Sequence, residues 1–122
     1  MNYKASVTKS FSAAHALNKY KGKCENLHGH NWKVKVSLSS NKLDKTGMVM
    51  DFTDIKAVLK SILSRLDHKY LNKVPPFDKI NPTAENIAEY IFEKLIKSIK
   101  LPIKINEVEV WESETSSATV SR

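Results

Sequence analysis

His28-Gly29-His30-Asn31-Trp32-Lys33-Val34-Lys35-Val36-Ser37-Leu38 alternates with a period of two, the period of an extended strand whose side chains project to opposite faces. Trp32, Val34, Val36 and Leu38 form the apolar row, and His28 and His30 stand on the same parity. Both imidazoles therefore point where the core must lie. Gly29 between them adds no side chain, which leaves the backbone open to close approach. Two imidazoles on one side of a strand can grip one ion or pack as an ordinary pair, and the rest of the chain must decide.

Outward from this strand the element order is readable. Tyr3, Ala5, Val7 and Phe11 share a phase and mark an earlier strand, with Asn18 to Leu27 as the connection. Asn41 to Gly47 is a polar turn, and Met48-Val49-Met50-Asp51-Phe52 leads into a helix carrying Ile55, Val58, Leu59, Ile62, Leu63 and Leu66 as one apolar stripe. Val74-Pro75-Pro76-Phe77 breaks the chain, and Asn81-Pro82-Thr83 opens a second helix with Thr83 as its N-cap. Its stripe is Ile87, Ala88, Ile91, Phe92, Leu95, Ile96 and Ile99, and Leu101-Pro102 ends it. In the next strand the apolar positions Ile103, Ile105, Val108 and Val110 change parity near Asn106 and Glu107, which predicts a β-bulge. Ser116 to Ser121 completes a β-β-α-α-β-β order. The fold class that follows is α+β, an antiparallel sheet with both helices packed on one face, in a single domain over residues 1–122.

Composition bounds the function without choosing it. With 122 residues and 41% hydrophobic content the chain can build one modest core. A single cysteine excludes an intramolecular disulfide framework, and no apolar run approaches a membrane span. The N-terminus begins a polar and apolar alternation instead of a signal peptide, so a cytoplasmic protein is expected. The net charge of +7 favours anionic partners. Most lysines are scattered as on a solvated surface, but Lys19, Lys21 and Lys23 immediately precede Cys24 and could lend a positive field there.

Imidazole nitrogen suits zinc, and catalytic zinc keeps three protein ligands and an open fourth position. Two further histidines can supply the third ligand. His15 follows the first strand, with small Ser12, Ala13 and Ala14 beside it, whereas His68 has Asp67 next to it at an expected helix end. We assign His15 to the metal and His68 to proton transfer. A hydrogen-bonded core histidine and a helix-terminal cation are the alternatives that spacing leaves open for the two. Glu112 shares the parity of Val108 and Val110 after the bulge and is expected on the buried row. A buried carboxylate costs several kcal/mol unless paired, and a substrate with amide-like N–H donors would pair it.

Six blocks together resemble the 6-pyruvoyltetrahydropterin synthase and 6-carboxytetrahydropterin synthase family, which has the tunnelling fold. They are Phe11-Ser12-Ala13-Ala14-His15, Cys24-x-x-x-His28-Gly29-His30, Gly47-Met48-Val49-Met50-Asp51-Phe52, Leu66-Asp67-His68 with Leu71-Asn72, Asn81-Pro82-Thr83-Ala84-Glu85-Asn86, and Val110-Trp111-Glu112. The resemblance implies zinc on His15, His28 and His30, and proton transfer by Cys24, Asp67 and His68. It implies a pterin ring anchored by Glu112, with Thr83 and Glu85 near the same pocket. It further implies 7,8-dihydroneopterin triphosphate as substrate and homohexamers built from two trimers, with active sites between subunits.

The branch is left open by two features. Three residues separate Cys24 from His28, as in enzymes that form the carboxy product on the 7-deazaguanine (queuosine and archaeosine) route, whereas pyruvoyl-forming members tend to have five. Glu25, in Glu-x-x-His-Gly-His, resembles instead the branch that cleaves the dihydroneopterin side chain with a glutamate. Val120 stands where many members carry an aromatic residue. Outside enzymes, the basic composition with a metal site would suit a zinc-stabilised nucleic-acid-binding module. The sequence shows neither the clustered basic stripe nor the aromatic stacking motif of such modules, so no nucleic-acid partner is expected.

Overall fold

Tyr3–His15 (β1) and His28–Ser40 (β2) pair antiparallel along their full length, from Tyr3 opposite Ser40 to His15 opposite His28. The computed structural model that gives this register describes residues 1–17 and 27–122. Helix α1 (Phe52–Leu63) follows, then a two-residue strand β3 (Lys69–Tyr70) and a single 3₁₀ turn (Leu71–Lys73). Helix α2 (Ala84–Ser98) and strands β4 (Lys104–Ser113) and β5 (Ser116–Ser121) complete the order. The sheet runs β3-β1-β2-β4-β5. Its long pairings are antiparallel as expected, but β3 joins β1 in parallel, with Ala13 opposite Lys69 and Ala14 opposite Tyr70. A pairing of two residues leaves no periodicity to read, so the sheet is mixed where the sequence pattern was purely antiparallel.

The even-numbered row of β2 is the centre of the core. Trp32, Val34, Val36 and Leu38 are all fully buried, as are Val108 and Val110 beside them on β4. The indole of Trp32 stacks on Phe11 at a centroid distance of 5.9 Å and donates its N–H to the Ala13 carbonyl at 3.2 Å. Helix α1 packs on β1, and α2 packs on β4 and β5. Ile55 and Leu59 from α1 and Ile87, Ile91 and Leu95 from α2 bring the two stripes into the same layer.

The second helix starts with the cap expected for it, and the first with one the spacing did not single out. The Asp51 carboxylate accepts from the Thr53 N–H at 2.8 Å, and the Thr83 hydroxyl accepts from the Asn86 N–H at 3.1 Å, each satisfying an orphan donor of a first turn. The end of α1 differs from the pattern. The stripe predicts helix through Leu66, whereas the helix stops at Leu63 and Leu66 is buried from the turn that follows. His68 is therefore in a connection beyond the helix, with φ of 59°, and is not a helix-end residue. Apolar spacing records which residues are buried, and a turn can bury Leu66 as well as a helix can.

The bulge in β4 is present. Ser37 faces Glu107 and Leu38 faces Ile105, which leaves Asn106 as the extra residue. A second irregularity lies between Trp111 and Ser113 in the pairing with β5. Glu112 keeps the face of Val108 and Val110, where its carboxylate meets the imidazoles of β1 and β2, but its side chain is 36% exposed and not buried as expected.

Ile91→Ala removes a fully buried side chain from the face of α2 against the sheet. The substitution should cost about 2–5 kcal/mol, read as a shift of the urea unfolding midpoint with an unchanged slope.

Candidate active site

The register of β1 on β2 sets His15 directly across from His28, and the strand period brings His30 to the same face. The three rings meet edge to face, with centroids 4.6 to 5.1 Å apart. Trp32 closes the group from below, edge-on to His15 at 4.9 Å and to His30 at 5.3 Å. Glu112 enters from β4, and its Oε1 lies 3.1 Å from His15 Nε2, 3.0 Å from His30 Nε2 and 3.8 Å from His28 Nε2. Ligand atoms of all four residues lie within 4.8 Å of one another.

The protonation pattern of this cluster favours a cation. His15 is 1% exposed, and its Nδ1 lies 2.8 Å from the Pro82 carbonyl oxygen. A carbonyl only accepts, so Nδ1 carries the proton and Nε2 turns a lone pair to the cluster. That lone pair meets His28 Nε2 at 3.1 Å. Two nitrogens on one tetrahedral zinc stand about 3.3 Å apart, so the spacing suits a shared ion. His30 Nε2 is buried and makes no hydrogen bond among the described residues, with the Glu112 oxygen 3.0 Å away. Burial lowers the His30 pKa; the Glu112 charge opposes this, and His15 and His28 reinforce it. Three converging imidazoles and a carboxylate, one nitrogen unsatisfied and one ring oriented by a backbone carbonyl, are a donor set that could hold a metal ion.

A second group forms where the chain returns after α1. Asp67 Oδ1 accepts from the Ser12 N–H at 3.0 Å and lies 3.0 Å from His68 Nδ1, and the Ser12 carbonyl accepts from the His68 N–H. Asn72 continues this docking. Its Oδ1 accepts from the Ala16 N–H at 2.9 Å, and its Nδ2 donates to the Ala16 carbonyl at 2.8 Å. Residues 67–72 are thereby fastened along 12–16, from the Asp67–His68 pair at one end to the residue after His15 at the other. The His68 ring is 81% exposed. Its left-handed backbone is one that L-residues other than glycine seldom adopt, and it is held by the Asp67 and Ser12 contacts. An open depression of about 520 Å³ runs beside the two groups, with Gly29, His30 and Asn31 on one side and His68 and Tyr70 on the other.

Among the residues singled out in the sequence, His15, His28, His30 and Glu112 come together, and Asp67 and His68 form an adjoining pair. Thr83 spends its hydroxyl on capping α2, and Glu85 is exposed in the first turn of that helix. Neither joins the imidazole cluster. Cys24 and Glu25, with Lys19, Lys21 and Lys23, lie outside the described residues. Two contributors escaped the sequence reading. The Pro82 carbonyl orients His15, and Asn72 clamps Ala16. The Asn81 to Asn86 and Leu71-Asn72 blocks contained them, but a backbone acceptor and a side chain paired to a distant backbone leave no local pattern.

A sheet of this order with two helices on one face and a three-imidazole cluster on its central strands defines a tunnelling-fold protein. The chain belongs to the family whose model is described as 6-pyruvoyl tetrahydropterin synthase, which matches residues 4–122. The 6-carboxy-5,6,7,8-tetrahydropterin synthase of Synechocystis sp. is 43% identical over 114 residues, 89% of this chain and 85% of the relative. The dihydroneopterin monophosphate aldolase of Pyrococcus furiosus is 38% identical over 103 residues, 84% of this chain and 83% of the relative. Among solved structures, 6-pyruvoyl tetrahydropterin synthase of Caenorhabditis elegans matches with a TM-score of 0.82 at 34% identity, covering 100% of this chain and 96% of that one. No helix among the described residues is long and apolar enough to cross a membrane.

The contacts of Asp67 yield a pH test. Its carboxylate is held below the ordinary range, first by the Ser12 N–H and then by His68, against a smaller opposing effect of burial. A lowered folded-state pKa stabilises the fold above the unfolded value and loses that effect as pH falls through the folded value. The stability difference between wild type and Asp67→Asn should be constant from pH 7 to 5 and shrink below about pH 4, measured by urea unfolding at each pH. A difference that grows on acidification would contradict the assignment.

Proposed function

We propose that this protein is a zinc-dependent 6-carboxy-5,6,7,8-tetrahydropterin synthase acting on 7,8-dihydroneopterin triphosphate, with acetaldehyde and triphosphate as the other products. The single observation that carries the metal part of this reading is the convergence of three imidazole Nε2 atoms, with His15 oriented by Pro82. The relative of this name from Synechocystis supports the activity. Three residues between Cys24 and His28 support the carboxy branch, which would supply the 7-deazaguanine route.

His15, His28 and His30 would hold the zinc, which when bound supplies Lewis-acid polarisation of the substrate's side-chain oxygens. Glu112, half-exposed at the edge of the cluster, can turn its carboxylate to accept two parallel N–H bonds from the pterin ring. Cys24 is the base, acting as a thiolate favoured by neighbouring cations. Asp67 holds the His68 ring by its Nδ1 at 3.0 Å, so that Nε2 is directed outward to give and take a proton in the open depression. Thr83 and Glu85 act at the pocket's margin, from the start of α2. The enzyme works in the cytoplasm as a homohexamer of two trimers, in which strand edges β1 and β5 are covered by neighbouring copies.

The Pyrococcus relative supports a second reading. That protein is a dihydroneopterin monophosphate aldolase, and Glu25 before His28 is the residue by which this chain would cleave the side chain in the same manner. The pyruvoyl-forming reaction, by triphosphate elimination alone, is the remaining branch.

Incubation of zinc-loaded protein with 7,8-dihydroneopterin triphosphate, with products identified by mass, separates the branches. A carboxytetrahydropterin with acetaldehyde is expected; a pyruvoyl product or a hydroxymethyl-dihydropterin overturns that assignment in favour of the corresponding branch. Cys24→Ala should abolish turnover with zinc content unchanged, and His28→Ala should lose the zinc. Full turnover in the first, or full metal in the second, would refute the role concerned.

A further inference from the structure

The bulge at Asn106 takes no part in the imidazole cluster, and it borders a separate depression on the sheet. This depression, about 670 Å³, lies between the start of β1, the end of β2 and the start of β4, and none of the residues of the metal cluster line it. Its size falls in the range of small-molecule sites, about 300–1,000 Å³. Its lining is chemically one-sided. Lys4 and Lys104 contribute charge, Asn2, Asn41 and Asn106 contribute amides, and no carboxylate is among the lining residues.

The sheet register explains how the two lysines come to share it. Lys4 on β1 and Lys104 on β4 both stand opposite Ser39 on β2, so they flank one residue in a row across three strands. Their Cα atoms are two strand spacings apart, about 10 Å, and two long side chains can close on one anion between them. The extra residue at Asn106 is what returns Lys104 to this row, because without it the parity of β4 would place Lys104 on the helix-facing side. Lys104 has no acidic partner among the described residues. Lys4 has only a loose one, Glu107 at 3.8 Å. The Ser39 hydroxyl donates to Asn106 Oδ1, which holds that amide with its Nδ2 donor unspent. Tyr3, whose ring is partly exposed at the margin, offers a flat surface for a polar ring.

We propose that this depression binds a phosphorylated small molecule, its phosphate held between Lys4 and Lys104 with the Asn106 amide donating to it. The volume exceeds what a bare phosphate fills, so the ligand class is a phosphate ester with a sugar or ring that reaches Tyr3 and the amides of Asn2 and Asn41. The site is independent of the metal centre and of the reaction proposed there.

Adenosine monophosphate is a suitable probe, titrated calorimetrically into the full chain at low salt. Saturable binding at one per chain with a dissociation constant below about 1 mM is expected, weakening as salt rises. The Lys4→Ala/Lys104→Ala double variant should bind at least tenfold more weakly. Asn106→Asp, nearly isosteric and of the wrong charge, should do the same with the thermal unfolding midpoint unchanged. Asp67→Asn, at the other depression, should bind as wild type does. Absence of saturable binding, or equal binding by wild type and both Lys4/Lys104 and Asn106 variants, would overturn the proposal. Tighter binding in Asp67→Asn, where a like charge is removed, with binding by the Lys4→Ala/Lys104→Ala variant unchanged, would place the anion in the other depression and overturn it equally.

Discussion

The antiparallel register that sets His15 across from His28 is the constraint on which the site depends. A slip of one residue would turn every side chain of one strand to the other face. It would scatter the imidazoles and expose Trp32, Val34, Val36 and Leu38 together. The burial that stabilises the sheet and the convergence of the imidazole nitrogens are thus one geometric fact. Trp32 joins the two directly, since its ring is packed in the core against Phe11 and edge-on to His15 and His30.

Around that register the molecule spends backbone groups on positioning. The Pro82 carbonyl selects the His15 tautomer from the start of α2, and the Thr83 cap and the Asn86 amide hold that segment in place. On the other side, residues 67–72 are fastened to β1 by Asp67 and Asn72. The strained backbone of His68 is consistent with a residue held for function, where such strain is sustained by surrounding contacts. The imidazole cluster and the Asp67–His68 pair therefore both lean on the end of β1 and the residue after it, residues 12–16.

Much of this was legible beforehand because it is periodic. The four long strands, both helix stripes, the Thr83 cap and the bulge at Asn106 all follow from alternation, helical spacing or capping chemistry. The helix extent was misjudged at Leu66, where burial from a turn imitates burial from a helix. The parallel strand β3 was missed because two residues have no period. Glu112 was expected on the core-facing row; it stands on that face beside the imidazoles, but near the strand end, where it is partly exposed. The His15, His28 and His30 grouping was legible through its parity with the core, which is a local property of each strand.

The sequence by itself determined the order of elements, the faces they bury and the residues able to bind a metal, because these depend on short-range repetition and on side-chain chemistry. Only the tertiary structure decided that Pro82 orients His15, that Asn72 clamps Ala16 and that Lys4 and Lys104 flank Ser39. Each of these joins positions far apart in the chain, and such pairings are set by strand register and loop docking that no local pattern encodes.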